Sequence, residues 1–222
     1  MTTLLHIDAS PRPDGFSRRV GRALADAFRR AAGPDDRYRH RDLTAEPVPH
    51  ITAAWTEICD NLLRDGITDL DSLHLAARTP AQRAAWAVLE PLLDELVEAD
   101  AILLATPMHN YSVPSGLKAW IDQVTFPKVS LGHRRFVVVA SRGGAYGPGT
   151  PREAVEHQVR YLEDLVVGHF GVPAPEVVTV EMTNALVDPA LAGHLDHHER
   201  TLAAALEQAE AIGTRLAVKG LG

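Results

Sequence analysis

A single cysteine, Cys59, stands in the 222-residue sequence, which excludes an intramolecular disulfide and a cysteine-based zinc site. Aromatic side chains are scarce, at 5%, and alanine and leucine abound, a balance that favours helices packed on a sheet over an all-β fold. No block of like charge marks a tail. No apolar run reaches the length of about 20 residues that a membrane-spanning helix needs. The opening MTTLLHIDASP lacks the basic start and long apolar stretch of a secretory signal, so the expected address is the cytoplasm. A basic face is also missing. The formal charge of −7 and a pI near 5.9 argue against a nucleic-acid partner. The absence of GxSxG leaves a serine hydrolase unsupported.

What is present is a repeated alternation of short apolar runs with longer helical patterns, the signature of a parallel sheet wrapped by helices. With 45% apolar residues, the chain reads as one α/β domain over residues 1–222. Thr3–Asp8 reads as a first strand, followed by a loop at Ser10–Gly15 and a helix from about Ser17 to Ala32. Arg37–Leu43 alternates but is polar, so it is expected at a sheet edge. Ala53–Leu63 reads as a helix and Gly66–His74 as loop. Thr79–Gln82 forms a capping box with Pro80 at the first helical position, opening a helix to about Glu98. Ala101–Thr106 and Phe136–Ala140 are buried strands, and Val177–Val180 is a weaker one. Further helices are expected from about Gly116, Pro151 and Pro189. Five parallel strands with helical crossovers suit the order 2-1-3-4-5, with a ligand beyond the carboxyl ends of the strands.

Three loops then matter. The first, Ser10–Ser17, joins a strand to a helix N-terminus, where free N–H groups and the helix dipole favour an anion. It contains neither GxxxxGK[ST] nor GxGxxG, so a monophosphate suits it better than a nucleoside triphosphate or a dinucleotide. Ser17 is either a phosphate donor or only the helix N-cap. The second loop, Thr106–Ser115, presents Met108, His109, Asn110 and Tyr111, a soft and partly polar surface suited to a planar heterocycle. The third, Ser141–Gly149, is glycine-rich, which permits close backbone approach, and Arg142 is placed to meet a carbonyl-rich ring edge.

The segment TPMHNYSVPSGLKAWIDQV, followed by VVASRGGAYGPGT, resembles the flavin loops of the FMN-dependent NADH-azoreductase and NADH:quinone oxidoreductase family. The family pattern of Pro-Met-Tyr-Asn-Phe, Pro-Ser-x-Leu-Lys and Ser-Arg-Gly-Gly is met at Pro107–Tyr111, Pro114–Lys118 and Ser141–Gly144. Ser10 and Ser17 match the phosphate-loop serines, and the similarity runs from Thr3 to about Glu181. The resemblance implies a flavodoxin-like three-layer fold with FMN as cofactor. It implies that Ser10, Gly15, Phe16 and Ser17 hold the phosphate. Met108, His109, Asn110, Tyr111, Ser141, Arg142, Gly143 and Gly144 would line the isoalloxazine. It further implies ping-pong transfer from NADH or NADPH to a quinone or azo acceptor, in a homodimer with each flavin near the subunit interface. A flavodoxin-like electron carrier and a specialised biosynthetic reductase on the same scaffold remain the alternatives.

Two departures stand out. His109 replaces the family's usual Tyr or Trp, and is either a flavin contact or a proton donor. The stretch from Asp122 to Ser141 is shorter than usual, with Thr125-Phe126 as the remnant of a Thr-Phe pair, and the lost residues are expected to open the acceptor pocket. Elsewhere, His194, His197 and His198 share one face of the last helical pattern. Without a carboxylate or cysteine partner they read as a solvated face rather than a metal site. Trp55, Trp86 and Trp120 read as packing or dimer contacts.

Overall fold

The computed structural model describes residues 1–125 and 130–218, so Phe126 lies outside the described residues. Five strands form the sheet: β1 (Thr3–Asp8), β2 (Arg37–Asp42), β3 (Ala101–Pro107), β4 (Arg135–Ser141) and β5 (Glu176–Val180). Their order is β2-β1-β3-β4-β5 and every pairing is parallel, as expected. β3 and β4 are buried nearly end to end, because parallel strands here are covered on both faces and apolar side chains suit every position. β2, RYRHRD, is at most half-buried and takes an edge.

Among the described residues, five α-helices lie in the crossovers, α1 (Phe16–Ala31), α2 (Ala53–Asp65), α3 (Pro80–Glu98), α4 (Ser115–Val124) and α5 (Val159–Gly168), and α6 (Leu195–Ala217) follows β5. One core layer joins Ile7, Ile102, Leu104 and Val138 to α2, α3, α4 and α5. The other joins Leu4, Leu103, Val137 and Val139 to α1 and α6 through Val20, Leu24, Phe28, Ile212 and Leu216. Trp120 is a core residue, and Trp86 is buried in the same layer.

The capping box at Thr79 and Gln82 forms as the sequence suggests. Other boundaries differ. Leu70–Ala76 is a 3-10 helix rather than loop. The helix expected from Pro151 starts at Val159, after a short 3-10 turn at Glu153–Val155. The cause is Glu156, whose carboxylate accepts from the backbone N–H groups of Gln158, Val159 and Arg160 and so caps the helix there. The last helix likewise begins at Leu195, behind a 3-10 helix over Pro189–His194.

Residues 130–134, which lead into β4, lie at the amino edge of the sheet. Arg134 donates to the Ala99 carbonyl, and the N–H of Arg135 donates to Asp100. These residues therefore lie opposite the carboxyl ends of the strands and do not wall a cleft there.

Candidate functional site

The loops after β1, β3 and β4 converge, with the segment after β5, around a cleft of about 550 Å³. Ser10, Gly15 and Phe16 line it from the first loop, Met108–Tyr111 from the second, and Ser141, Gly143 and Gly144 from the third. Ten of the twelve residues singled out in the sequence thus line one cavity. Ser17 and Arg142 do not.

The first loop is tightly folded. Arg12 N–H donates to Ser10 Oγ at 3.2 Å, and Gly15 N–H donates to the Arg12 carbonyl at 3.0 Å. A Cβ on Gly15 would stand 2.5 Å from Ser10 Oγ, so only glycine leaves this hollow open. Gly15 is the N-cap of α1, without any side-chain cap, and no acidic residue stands in the first turn. Ser17 is therefore not the cap. Its side chain is fully buried, yet its Oγ has no hydrogen-bond partner among the described residues. Leaving a buried hydroxyl unpaired is costly, which points to a ligand that completes it. A phosphate monoester fits this donor set: free helical N–H groups, an unpaired hydroxyl and a positive dipole end.

Behind the loop, the buried Arg18, Asp8 and His6 cluster with the half-buried Asp42 and the exposed His40. Burial pushes the Asp8 carboxyl up, but the hydrogen bond from His40, the neighbouring His6 at 3.6 Å and the charge of Arg18 outweigh it and hold Asp8 well below the usual carboxylate range. Burial, followed by the charge of Asp8, pushes Tyr38 beside them up to about 12. His6, Asp8 and His40 offer three donor atoms within 4.8 Å of one another. The guanidinium of Arg18, 3.4 Å from Asp8, already supplies positive charge to that carboxylate.

The second loop is braced by a reciprocal pair of backbone hydrogen bonds between His109 and Ser112. Asn110 and Tyr111 hold φ of 48° and 71°, an uncommon conformation for side chains other than glycine and frequent at ligand sites. Met108 N–H donates to the Ser141 carbonyl at 2.7 Å, which ties the second loop to the third. His109 and Tyr111 remain exposed at the cleft.

Arg142 is turned into the protein. Its guanidinium lies 3.3 Å from Glu181 and 3.6 Å from Glu156, so it braces the third loop rather than meeting a ring edge from the cleft. Glu181 also accepts from the Tyr146 N–H. The three late histidines do not share a solvated face. His194 ends the 3-10 helix, His197 approaches Glu181 at 3.4 Å, and His198 is buried with its ring edge-on to Phe16 at 4.7 Å.

Sequence reasoning missed Tyr146, Arg152 and the segment Thr183–Val187, which close the far wall. Asn184 N–H donates to the Gly143 carbonyl, and Thr183 Oγ1 donates to that of Arg142. The left-handed φ of 54° at Met182 makes the bend that brings this segment back. Met182 carries no glycine signal, so nothing local announced the bend.

The family defined by the flavodoxin-like fold matches residues 2–209. An FMN-dependent NADH:quinone oxidoreductase of Nocardia farcinica is 57% identical, covering 96% of this chain and 98% of the relative. The chain belongs to this family of flavodoxin-like quinone oxidoreductases. A second relative of the same description, from Streptomyces avermitilis, is 40% identical, with 98% of each chain covered. Among solved structures, the azoreductase AzrA superposes with a TM-score of 0.78 at 25% identity, over 96% of this chain and 100% of that one. An FMN-dependent NADH-azoreductase of Bacillus anthracis, in complex with FMN, gives a TM-score of 0.76 at 20% identity over 98% and 100% of the two chains, a likeness of fold. No helix among the described residues is long and apolar enough to cross a membrane.

Proposed function

We propose that this chain binds FMN and catalyses electron transfer from NADH or NADPH to quinones or azo compounds. The observation that carries the reading is the buried, unpaired Ser17 Oγ on the first turn of a helix without acidic residues, beside the hollow at Gly15. Ser10 and Gly15–Ser17 hold the phosphate. Met108–Tyr111, Ser141, Gly143 and Gly144 border the ring system, while Arg142 keeps the third loop in place from behind. FMN, when bound, would supply the redox chemistry that links the nicotinamide donor to the acceptor, and one cleft that takes the two in turn suits ping-pong order. His109, exposed at the cleft, contacts the ring or supplies a proton to the departing product.

Tyr111, Leu186 and Val187 expose apolar surface at the cleft mouth, which supports a homodimer that covers the site. A reaction that draws on NADH also suits a cytoplasmic protein. The purified chain should be yellow and release FMN on denaturation, identified by chromatography. It should consume NADH steadily with a small quinone and run as a dimer in light scattering. Recovery of FAD would refute the cofactor. A monomer fully loaded with flavin that leaves NADH untouched would mark an electron carrier.

A further inference from the structure

Asp8 and Asp42 are register partners at the carboxyl ends of β1 and β2. Asp8 is buried and stands two residues before Ser10, while Asp42 is half-buried. A phosphate monoester carries up to about two negative charges near neutral pH, so a loop flanked by two carboxylates is a poor place for it unless they are compensated.

Arg18 supplies the compensation from within α1. Its Nη2 lies 2.6 Å from Asp42 Oδ1 and its Nη1 lies 3.4 Å from Asp8 Oδ2. The same guanidinium donates through Nε and Nη2 to the Ser10 carbonyl, at 2.9 and 2.7 Å, and through Nη2 to Thr44 Oγ1 at 2.9 Å. Holding the Ser10 carbonyl beneath the loop keeps that acceptor away from the anion side. The planar fork is what allows one side chain to engage the loop and both strand ends together, and lysine has no equivalent. The side chain is 9% exposed, so this is a built element of the site rather than a surface charge.

We propose that Arg18 is the positioning residue through which the loop selects the phosphate-bearing flavin over riboflavin, a deepening of the FMN reading on which it rests. Arg18 compensates both carboxylates and orients Ser10, and it need not touch the phosphate to do so.

The test titrates FMN and riboflavin separately into the flavin-free full-length chain, following quenching of flavin fluorescence, and compares the ratio of the two affinities among variants. R18Q should lower the FMN-over-riboflavin ratio by about 10- to 100-fold, the scale of a lost hydrogen bond to a charged group. R18K retains the charge without the fork and should lower it less. D42N removes one of the repelling carboxylates and should raise the ratio about threefold or more at low salt, where exposed charges are least screened. A merely structural role would weaken both flavins alike and could not raise the ratio. Should R18Q fail to fold, R18K and D42N decide the matter. Ratios equal to the parent's in D42N and in the folded Arg18 variants would overturn the role of Arg18 and leave FMN binding standing. A parent chain that binds neither flavin would overturn the FMN reading itself.

Discussion

Gly213 of α6 lies directly against Leu24 of α1: a Cβ at Gly213 would stand 2.2 Å from the Leu24 carbonyl oxygen and 2.9 Å from the Cβ of Ala27. The two helices form one layer over the sheet, and α1 also carries the phosphate loop at its start. Close packing of a helix that must also present its N-terminus sets the position of the cleft.

Gly213→Ala should therefore force α1 and α6 apart. Overpacking of this kind costs about 1–3 kcal/mol. For a chain of this size that lowers the melting temperature by about 2–4 °C per kcal/mol. A thermal melt followed by circular dichroism measures it. An unchanged midpoint would show that the helices separate freely.

Ser17→Ala tests the buried hydroxyl. A hydrogen bond to a charged group contributes about 1.5–3 kcal/mol, so FMN affinity should fall by roughly tenfold or more. His194→Ala, at the end of the 3-10 helix over Pro189–His194, should leave the affinity as it was. Fluorescence titration of both variants decides it, and a Ser17→Ala chain that binds like the parent would remove Ser17 from the phosphate site.

What was legible in the sequence is what depends on near neighbours. AILLAT at Ala101–Thr106 announces a strand buried on both faces, and Thr79, Pro80 and Gln82 announce a helix start, because periodicity and capping act within a turn or two. The three loops that meet at the cleft were legible for the same reason, each following an apolar run. What escaped depends on residues far apart. Arg142 looks like a ligand-facing cation in isolation, and only Glu181, 39 residues later, turns it inward. The start of α5 at Val159 rests on the carboxylate of Glu156, where Pro151 offered the more familiar signal. His198 reads as solvated until Phe16, from the other end of the chain, packs against it.

Acid should weaken the fold through Asp8 and Asp42. The hydrogen bond from His40 and the neighbouring His6 hold the Asp8 carboxyl below its ordinary 3.8 in spite of burial, and the hydrogen bond from Arg18 does the same for Asp42. A folded-state value below the unfolded one means the unfolded chain binds more protons, so stability falls as pH falls. The contribution is fully present well above pH 3.8 and is lost progressively below it, toward the depressed folded values. Urea melts between pH 6 and pH 3 should show this decline, and Asp42→Asn should flatten part of it. Parallel pH profiles for the parent and Asp42→Asn would show that the Arg18 pair does not govern acid stability.

Acceptor choice follows from the cleft mouth. Residues 130–134, which lead into β4, pack at the amino edge of the sheet and do not line the cleft. Around the opening stand Tyr111, Leu186 and Val187, which are 50%, 52% and 75% exposed. Tyr111 meets Tyr146 edge to face, with ring centroids 6.4 Å apart, so the mouth offers flat aromatic surface rather than an enclosing pocket. Discrimination among substrates comes from contacts that one makes and another loses, and an open, apolar rim gives few of them. Small quinones that differ by a ring substituent should then vary in kcat/KM by less than about tenfold, the low end of what one apolar group contributes in a closed pocket. Azo dyes, longer than the quinones, gain little from a mouth that does not extend along them and should turn over more slowly. The measurement is a panel of quinones, azo dyes and nitroaromatics at saturating NADH. Strong preference for one azo dye, with quinones inert, would show that a wall supplied by a second copy of the chain, and not the exposed rim, sets specificity.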